Sequence, residues 1–368
     1  MVFCHNTAQY LFLHYRELIQ AAIGAGCTVV CVCPADKYVN RLKSLGAFHV
    51  DWYLSQHGMN PAAELVSIMR LRRILRSQGA EKVLSFSIKP NLYIALLNLF
   101  SVRYRQFCMI TGLGYAFIGG SSWRNLVRAL LTRAYRVLFR GIDCAIFQNP
   151  LDRDFFVANS MVEEAKTLVI PGSGIDTSYF CEKQWSEAPH PVRFLFVGRL
   201  LADKGLGELI DAADRLHGGN CVVDILGPRD ENPGALDEER LKNALDGDII
   251  RYHGETEDVR PWLRQADVFV LPSYREGLSR SILEAMSTGL PVITTDVPGC
   301  RDLVTEGENG TLVPPRNADA LYRAMKSYMD DPEKIRNYGR ASRERVEREF
   351  QVETVNKLIL ARLEIALC

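Results

Sequence analysis

Apolar positions along the chain come in short blocks rather than in strict alternation. In the first half "CTVVCVCP", "KVLSFSI", "RQFCMIT", "DCAIFQN" and "KTLVIPG" are runs rich in β-branched residues, each ended by polar or Gly/Pro punctuation. Such runs read as buried strands. The segments between them change period: Leu65, Ile68, Met69, Leu71 and Leu75 recur at helical spacing. The second half repeats the scheme with "VRFLFVG", "CVVDILG", "IIRYHG", "DVFVLP", "PVITT" and "GTLVP". Continuous apolar strands alternating with helices predict parallel sheets covered on both faces.

The pattern breaks at "CEKQWSEAPHPV", residues 181–192, which has two prolines, several charges and no apolar period. A chain of 368 residues is about twice a usual domain. The expectation is an α/β protein of two doubly wound Rossmann-like domains, 1–182 and 190–348, facing a central cleft. A last amphipathic helix within 349–368 is free to dock on either domain or to cross back to the first. Ligands of such sheets sit outside the carboxyl ends of the strands, and two domains make the cleft the natural place for one.

Composition narrows the picture. No apolar run reaches the roughly 18–20 residues that cross a bilayer. The opening "MVFCHN" lacks the basic-then-apolar layout of a secretory signal, and it starts almost inside a strand, as if a few residues of that strand were missing. The ten cysteines are scattered through apolar runs without paired Cys-x-x-Cys spacing, which favours buried thiols in a reducing compartment over a zinc site. Net charge is zero but unevenly spread: residues 1–185 hold 20 Lys and Arg against 12 Asp and Glu, the remainder 24 against 32. The basic half is expected to face something anionic.

Two stretches carry candidate chemistry. In "FVGRLLADKGLGELI" a strand ends at Gly198, Arg199 and Lys204 follow, and a helix opens near Gly205. Two cations beside a helix N-terminus suit a phosphate, although an ordinary solvated loop fits this stretch equally well. In "PSYREGLSRSILEAM" the loop holds Glu276, and a helix is expected from about Ser281, with Glu284 in its first turn. Backbone N–H groups through Gly277, Leu278, Ser279, Arg280, Ser281 and Ile282 would form a second anion seat. A single Glu in a first turn is commonly a dipole partner worth about 0.3–1 kcal/mol. A second carboxylate before the seat is not explained that way, and two could grip sugar hydroxyls on either side of a diphosphate.

"FVGRLLADKG" and "YHGETEDVRPWLRQADVFVLPSYREGLSRSILEAMSTGLPVITTDVPGCRDLVTEGENGTLVPP" together resemble the C-terminal half of family 4 retaining glycosyltransferases of GT-B fold. The Glu-x7-Glu element, the Arg and Lys pair and the strand-turn "GLPVITTDVPG" match in order. "HGMNP", "SIKP", "TGLGYAF", "FQNPLDRDFF" and "IPGSGID" resemble one branch, bacterial polyprenyl-diphosphate-linked sugar transferases of capsule, O-antigen and glycan assembly. By that resemblance Glu276, Arg199 and Lys204 are catalytic: Glu276 holds the donor sugar, and the cations hold the diphosphate and stabilise the leaving group. Glu284 takes the ribose, and main chain near His253 and Gly254 reads the base. The resemblance implies a UDP-sugar, with N-acetylhexosamine as the sugar, no metal or other cofactor, retained stereochemistry, and a lipid-linked saccharide acceptor on the inner face of the plasma membrane. On the acceptor side it points to Asn60, Lys89, Thr111, Gly112 and Gly114. The sequence departs from the wider family in lacking a Gly-Gly loop after the first strand, where it reads "HNTAQYLFLH", and a His where it reads "MITGLGY". His14 and the backbone around Thr111 to Gly114 are candidate substitutes for that His, while a structural role for His5 and His14 is the plainer alternative.

Other motifs add less. Asp152-Arg153-Asp154 opens an amphipathic helix and Asp246-Gly247-Asp248 is a turn, so neither reads as a metal-holding Asp-x-Asp. "GLGYAFIGG" lacks the third glycine of a dinucleotide loop. "SSWRNLVRALLTRAYRVLFRG" is a basic amphipathic helix with Trp123, Val127, Leu130, Ala134 and Leu138 on one face and Arg124, Arg128, Arg133, Arg136 and Arg140 around it. With "IMRLRRILRS" it predicts contact with an anionic membrane surface, and no aromatic-basic motif supports nucleic acid. Two rival functions share the fold: a sugar-nucleotide epimerase, and a non-catalytic nucleotide-sugar-binding subunit. The retained Arg199, Lys204, Glu276 and Glu284 weigh against both.

Overall fold

A computed structural model describes residues 1–54, 60–100, 104–113, 122–185, 190–229, 238–245 and 247–366. The chain divides into two compact units, Met1–Ser173 with Val352–Cys368, and Gly174–Gln351.

The first unit is a parallel sheet of order β3-β2-β1-β4-β5-β6-β7. Its strands are β1 (Val2–Cys4), β2 (Val30–Cys33), β3 (Phe48–Asp51), β4 (Lys82–Phe86), β5 (Arg105–Ile110), β6 (Cys144–Phe147) and β7 (Thr167–Val169). The helices are α1 (Ala8–Gly24), α2 (Val39–Ser44), α3 (Pro61–Ser77), α4 (Ile88–Phe100), α5 (Ser122–Leu138) and α6 (Pro150–Ala158). Every residue of β1, β2 and β6 is buried, as expected where helices cover both faces. β3 was not anticipated: it is an edge strand whose "FHVD" is half-exposed, so it lacks an apolar run.

The second unit repeats the plan with order β10-β9-β8-β11-β12-β13. The strands are β8 (Val192–Val197), β9 (Cys221–Leu226), β10 (Ile250–Tyr252), β11 (Val268–Leu271), β12 (Val292–Thr295) and β13 (Gly310–Val313). The helices are α7 (Leu206–Asp214), α8 (Glu238–Leu245), α9 (Arg260–Gln265), α10 (Arg280–Ser287), α11 (Ala318–Asp330) and α12 (Pro332–Glu349).

One boundary differs from the sequence expectation, and the last helix takes one of the two dockings expected of it. Residues 174–182 belong to the second unit, not the first. Ile175 N–H donates to Phe350 O at 2.9 Å, and Ile175 and Phe180 sit in the second unit's core. A non-periodic stretch hid this attachment because single anchors leave no period. The last helix, α13 (Val352–Arg362), packs into the first unit, with Val355, Ile359, Leu360 and Leu363 fully buried beside α1. Glu364 reinforces it through a bidentate contact with Arg105, whose Nη1 lies 2.5 Å and Nη2 2.9 Å from the carboxylate.

No described helix is long and apolar enough to cross a membrane. The described cysteines are free thiols, and all but Cys27 and Cys181 are buried.

Candidate donor-binding site

In the second unit the loops after β8 and β11 are drawn together by backbone, and their side chains follow. Lys204 ends the 3-10 turn Ala202–Lys204, and Gly205 then takes φ +71° to enter α7. A methyl group at Gly205 would fall 2.0 Å from Pro272 O, so only glycine permits this approach of the two loops. Tyr274 N–H donates to Asp203 O at 2.8 Å, and Ser273 Oγ reaches the same oxygen at 3.2 Å. Tyr274 hydroxyl donates to Glu208 at 2.7 Å, tying the β11 loop to α7.

A third loop, after β12, supports Glu276 from below. Glu276 N–H donates to Pro298 O and Ser279 N–H to Gly299 O, each at 3.2 Å. Gly299 has φ +78°, and a methyl group there would lie 2.5 Å from Glu276 O. Within this frame Lys204 Nζ and Glu276 Oε1 meet at 2.5 Å, with side chains 19% and 14% exposed. Arg199 is exposed on the same post-β8 loop.

Glu284 differs from expectation. Ser279 caps α10, accepting from Ile282 N–H, so the helix begins at Arg280 and its first turn holds no acid. Glu284 therefore lies one turn in and accepts from Arg280 Nε at 3.1 Å. Arg280 also reaches Gly174 O at 3.4 Å. Gly277, Leu278 and Ser281 are half-buried around the cap, Ser279 and Ile282 buried. The helix N-terminus and its N–H groups are thus present, beside an Arg–Glu pair rather than a lone acid.

On the loop after β10, Gly254 O accepts from Gly227 N–H at 2.9 Å and His253 N–H donates to Ile225 O at 3.0 Å. The His253 ring stacks on Trp262 at 4.1 Å, and its Nε2 lies 2.7 Å from Asp224 Oδ1. Asp224, buried in β9, also accepts from Arg193 at 2.9 Å. Sequence reading missed Asp224 as the group that orients His253. The available signal was a carboxylate inside the apolar run "CVVDILG", since a buried charge needs partners.

The residues expected on the acceptor side lie in the first unit. Asn60 is the N-cap of α3, its Oδ1 accepting from Ala62 N–H at 3.0 Å. Lys89 Nζ meets Glu64 at 2.6 Å, and Glu64 also accepts from Tyr93 hydroxyl. Lys89, Thr111 and Gly112 line a pocket at the strand ends. His14 lies tilted against Tyr10, which stacks on His5. Burial depresses His5 to about 3, outweighing its bond to the Thr7 backbone. Its Nδ1 lies 3.0 Å from Thr7 N and 3.1 Å from Thr7 O, and its Nε2 lies 3.0 Å from Ser87 Oγ. His5 is thus a neutral, structural histidine. Gly114 lies outside the described residues, as do the side chains of Trp123 and Arg124 and residue 246.

The basic helix α5 exposes Arg128, Arg133 and Arg136, and the 3-10 turn after it exposes Arg140. Of the expected apolar face Leu138 packs on the core, joined there by Leu131 and Tyr135, while Leu130 is 59% exposed. Tyr135, outside the expected apolar face, is a fully buried core anchor of this helix.

Residues 191–331 match the family model for glycosyl transferases group 1. Over 336 residues the chain is 28% identical to the N,N'-diacetylbacillosaminyl-diphospho-undecaprenol alpha-1,3-N-acetylgalactosaminyltransferase of Campylobacter jejuni, covering 88% of this chain and 87% of that one. Among solved structures, sucrose-phosphate synthase from Thermosynechococcus elongatus superposes with TM-score 0.82 at 20% identity, over 99% of this chain and 97% of that chain. Anabaena HepE in complex with UDP-glucose does so with TM-score 0.78 at 17% identity, over 99% and 98%. The chain therefore has the GT-B fold, and its residues 191–331 match the glycosyl transferases group 1 family.

Proposed function

We propose that the protein moves a sugar, an N-acetylhexosamine, from a UDP-sugar to a polyprenyl-diphosphate-linked saccharide at the inner face of the plasma membrane, with retained stereochemistry and without a metal. The observation that carries the donor half is the Lys204–Glu276 pair on loops joined by close backbone contacts. A donor diphosphate entering beside α7 and α10 would draw Lys204 and Arg199 to its oxygens. Glu276 would then be left to accept from sugar hydroxyls. Charge that develops on the departing UDP would meet two fixed cations and helix N–H groups, the kind of preorganised stabilisation worth several kcal/mol. The acceptor hydroxyl would attack the face from which UDP leaves. Its proton passes to the leaving phosphate as the new glycosidic C–O bond replaces the old one.

The acceptor half is supported by the Campylobacter relative, whose name specifies a diphospho-undecaprenol-linked substrate. The surface of the first unit supports the membrane. α3 exposes Leu65, Val66 and Met69 beside Arg70, Arg73 and Arg76, and α5 exposes Leu126, Leu130 and Val137 beside its arginines. α4 packs against both helices. Exposed apolar groups interleaved with arginines suit an anionic bilayer surface.

The test is product analysis after incubation with a panel of nucleotide sugars and lipid-linked saccharides, with and without EDTA. A retained-anomer glycoside formed from a UDP-sugar in the presence of EDTA is expected. An inverted anomer, or EDTA-sensitive turnover, would overturn the corresponding element.

A further inference from the structure

The second unit has a cavity at the opposite end of its strands from the candidate donor loops. It holds about 400 Å³ and is lined by Lys183, His190, Arg193, Arg251, Arg264 and Asp267, among others. Arg193 is the second residue of β8, Asp267 immediately precedes β11, and Arg264 lies in the last turn of α9, which feeds β11. The donor loops instead follow β8, β10 and β11, so the length of the strands separates the two places. Ligands of doubly wound sheets sit outside the carboxyl ends, which leaves a cavity at the amino ends without an assigned use.

Strand register explains why cations gather there. Arg193 pairs with Val222 and Arg251 with Asp224 in this parallel sheet, so the four side chains project from one face. Arg193 Nη2 reaches along that face to Asp224 Oδ2 at 2.9 Å. Arg264 from α9 and Lys183 from the segment before β8 complete the basic lining.

The carboxylates nearby are already committed within the wall. Asp267, its side chain 7% exposed, accepts from Arg193 N–H at 2.9 Å and lies 3.4 Å from Lys183 Nζ and 3.0 Å from His190 Nε2. Lys183 also donates to Ala266 O and sits over the Trp185 ring at 4.1 Å. Asp224 is shared by Arg193 and His253. Arg251 and Arg264 differ: both are exposed, and neither lies in an ion pair among the described residues. Arg264 Nη2 reaches Cys181 Sγ at 3.5 Å. Four cationic side chains thus face two carboxylates, and the excess charge sits on the two exposed arginines.

Guanidinium forks bind phosphate oxygens in pairs. A cavity of about 400 Å³ is in the range of small-molecule sites and has room for more than one phosphate. We infer that it is a second anion site of this protein, taking a small soluble molecule that bears a diphosphate. Arg251 and Arg264 grip the phosphate oxygens, and Lys183 and Arg193 add charge from fixed positions in the wall. The site is independent of the transfer proposed above, whose diphosphate lies at the other end of the strands.

The test is calorimetric titration of inorganic pyrophosphate into the full chain and into its Arg199→Met, Lys204→Ala variant, which lacks the donor-loop cations. One pyrophosphate is expected to remain bound in that variant, at least about tenfold tighter than orthophosphate, because each guanidinium then meets its own phosphate group. Adding Arg251→Met and Arg264→Met, both at exposed positions, should keep the denaturation midpoint and weaken pyrophosphate by at least about tenfold. Loss of binding on removal of the donor-loop cations, equal affinity for orthophosphate, or unchanged affinity without Arg251 and Arg264 overturns the inference. A lipid surface is the other source of the same chemistry. Sedimentation with phosphatidylglycerol vesicles should match between the wild type and Arg251→Met, Arg264→Met. A fall in that variant would assign the two arginines to lipid headgroups and overturn the soluble ligand.

Discussion

Lys204 and Glu276 stand 72 residues apart in the chain and 2.5 Å apart in the fold, one on the loop after β8 and the other after β11. Each answers the charge of the other before any donor arrives. The cation that would bind a diphosphate is thus already ordered, which lowers the entropic cost of organising the site.

Substitution of either partner should therefore abolish turnover without unfolding the protein. Glu276→Ala and Lys204→Ala are each expected to lower kcat by at least about a hundredfold, in the range of lost transition-state contacts. Both side chains keep some solvent contact, so the stability loss should stay near about 1 kcal/mol. Near-normal turnover in either variant, read by UDP release, would remove these residues from the chemistry.

Gly299 is expected to position Glu276. A methyl group at Gly299 would meet Glu276 O at 2.5 Å and Gly277 O at 2.6 Å, so Gly299→Ala must push the Glu276 loop away. Gly307 has the same kind of backbone, φ +79°, with nothing within 4 Å of an added methyl group. Both alanine variants carry a left-handed strain of about 1–3 kcal/mol, but only Gly299→Ala should lower kcat, by about tenfold or more. Equal activities at matched stability would refute the positioning role.

Membrane attachment should depend on both chemistries of α5. Replacing Arg128, Arg133 and Arg136 by alanine removes three charges worth about 1 kcal/mol each at an anionic surface. Sedimentation with phosphatidylglycerol vesicles should then fall by about a hundredfold in partition coefficient, and added salt should weaken wild-type binding. Leu126→Ser with Leu130→Ser should weaken binding without changing the salt dependence. Unchanged sedimentation in the arginine variant would dispose of the membrane face.

Acid stability should report His5. Its folded pKa is depressed to about 3 from 6.5 by burial, so below pH 6.5 the unfolded chain takes a proton that the folded chain refuses. Stability contributed by neutral His5 is fully present above pH 6.5 and is lost as pH falls toward 3. The slope reaches at most about 1.4 kcal/mol per pH unit for one proton. His5→Gln should flatten the pH dependence of the denaturation midpoint over that window. An unaltered slope would show that His5 is protonated in the fold.

Much of the architecture was legible because burial on both faces writes itself into sequence as unbroken apolar runs. β8, β9, β11 and β12 were visible for that reason, and the half-exposed edge strand β3 was not. Helix ends were less legible. The start of α10 hinges on one hydroxyl, Ser279, and a shift of one residue moved Glu284 out of the first turn and onto Arg280.

By itself the sequence determined two doubly wound α/β units, the loops that end in Arg199, Lys204 and Glu276, and the family whose chemistry those loops resemble. These are local matters: period, punctuation and residue type at fixed spacing. The tertiary structure decided what required two distant segments at once. It joined Lys204 to Glu276, returned α13 to the first unit and bound His253 to Asp224. The pairings among these depend on where separate strands end in space, which periodicity along one chain does not encode.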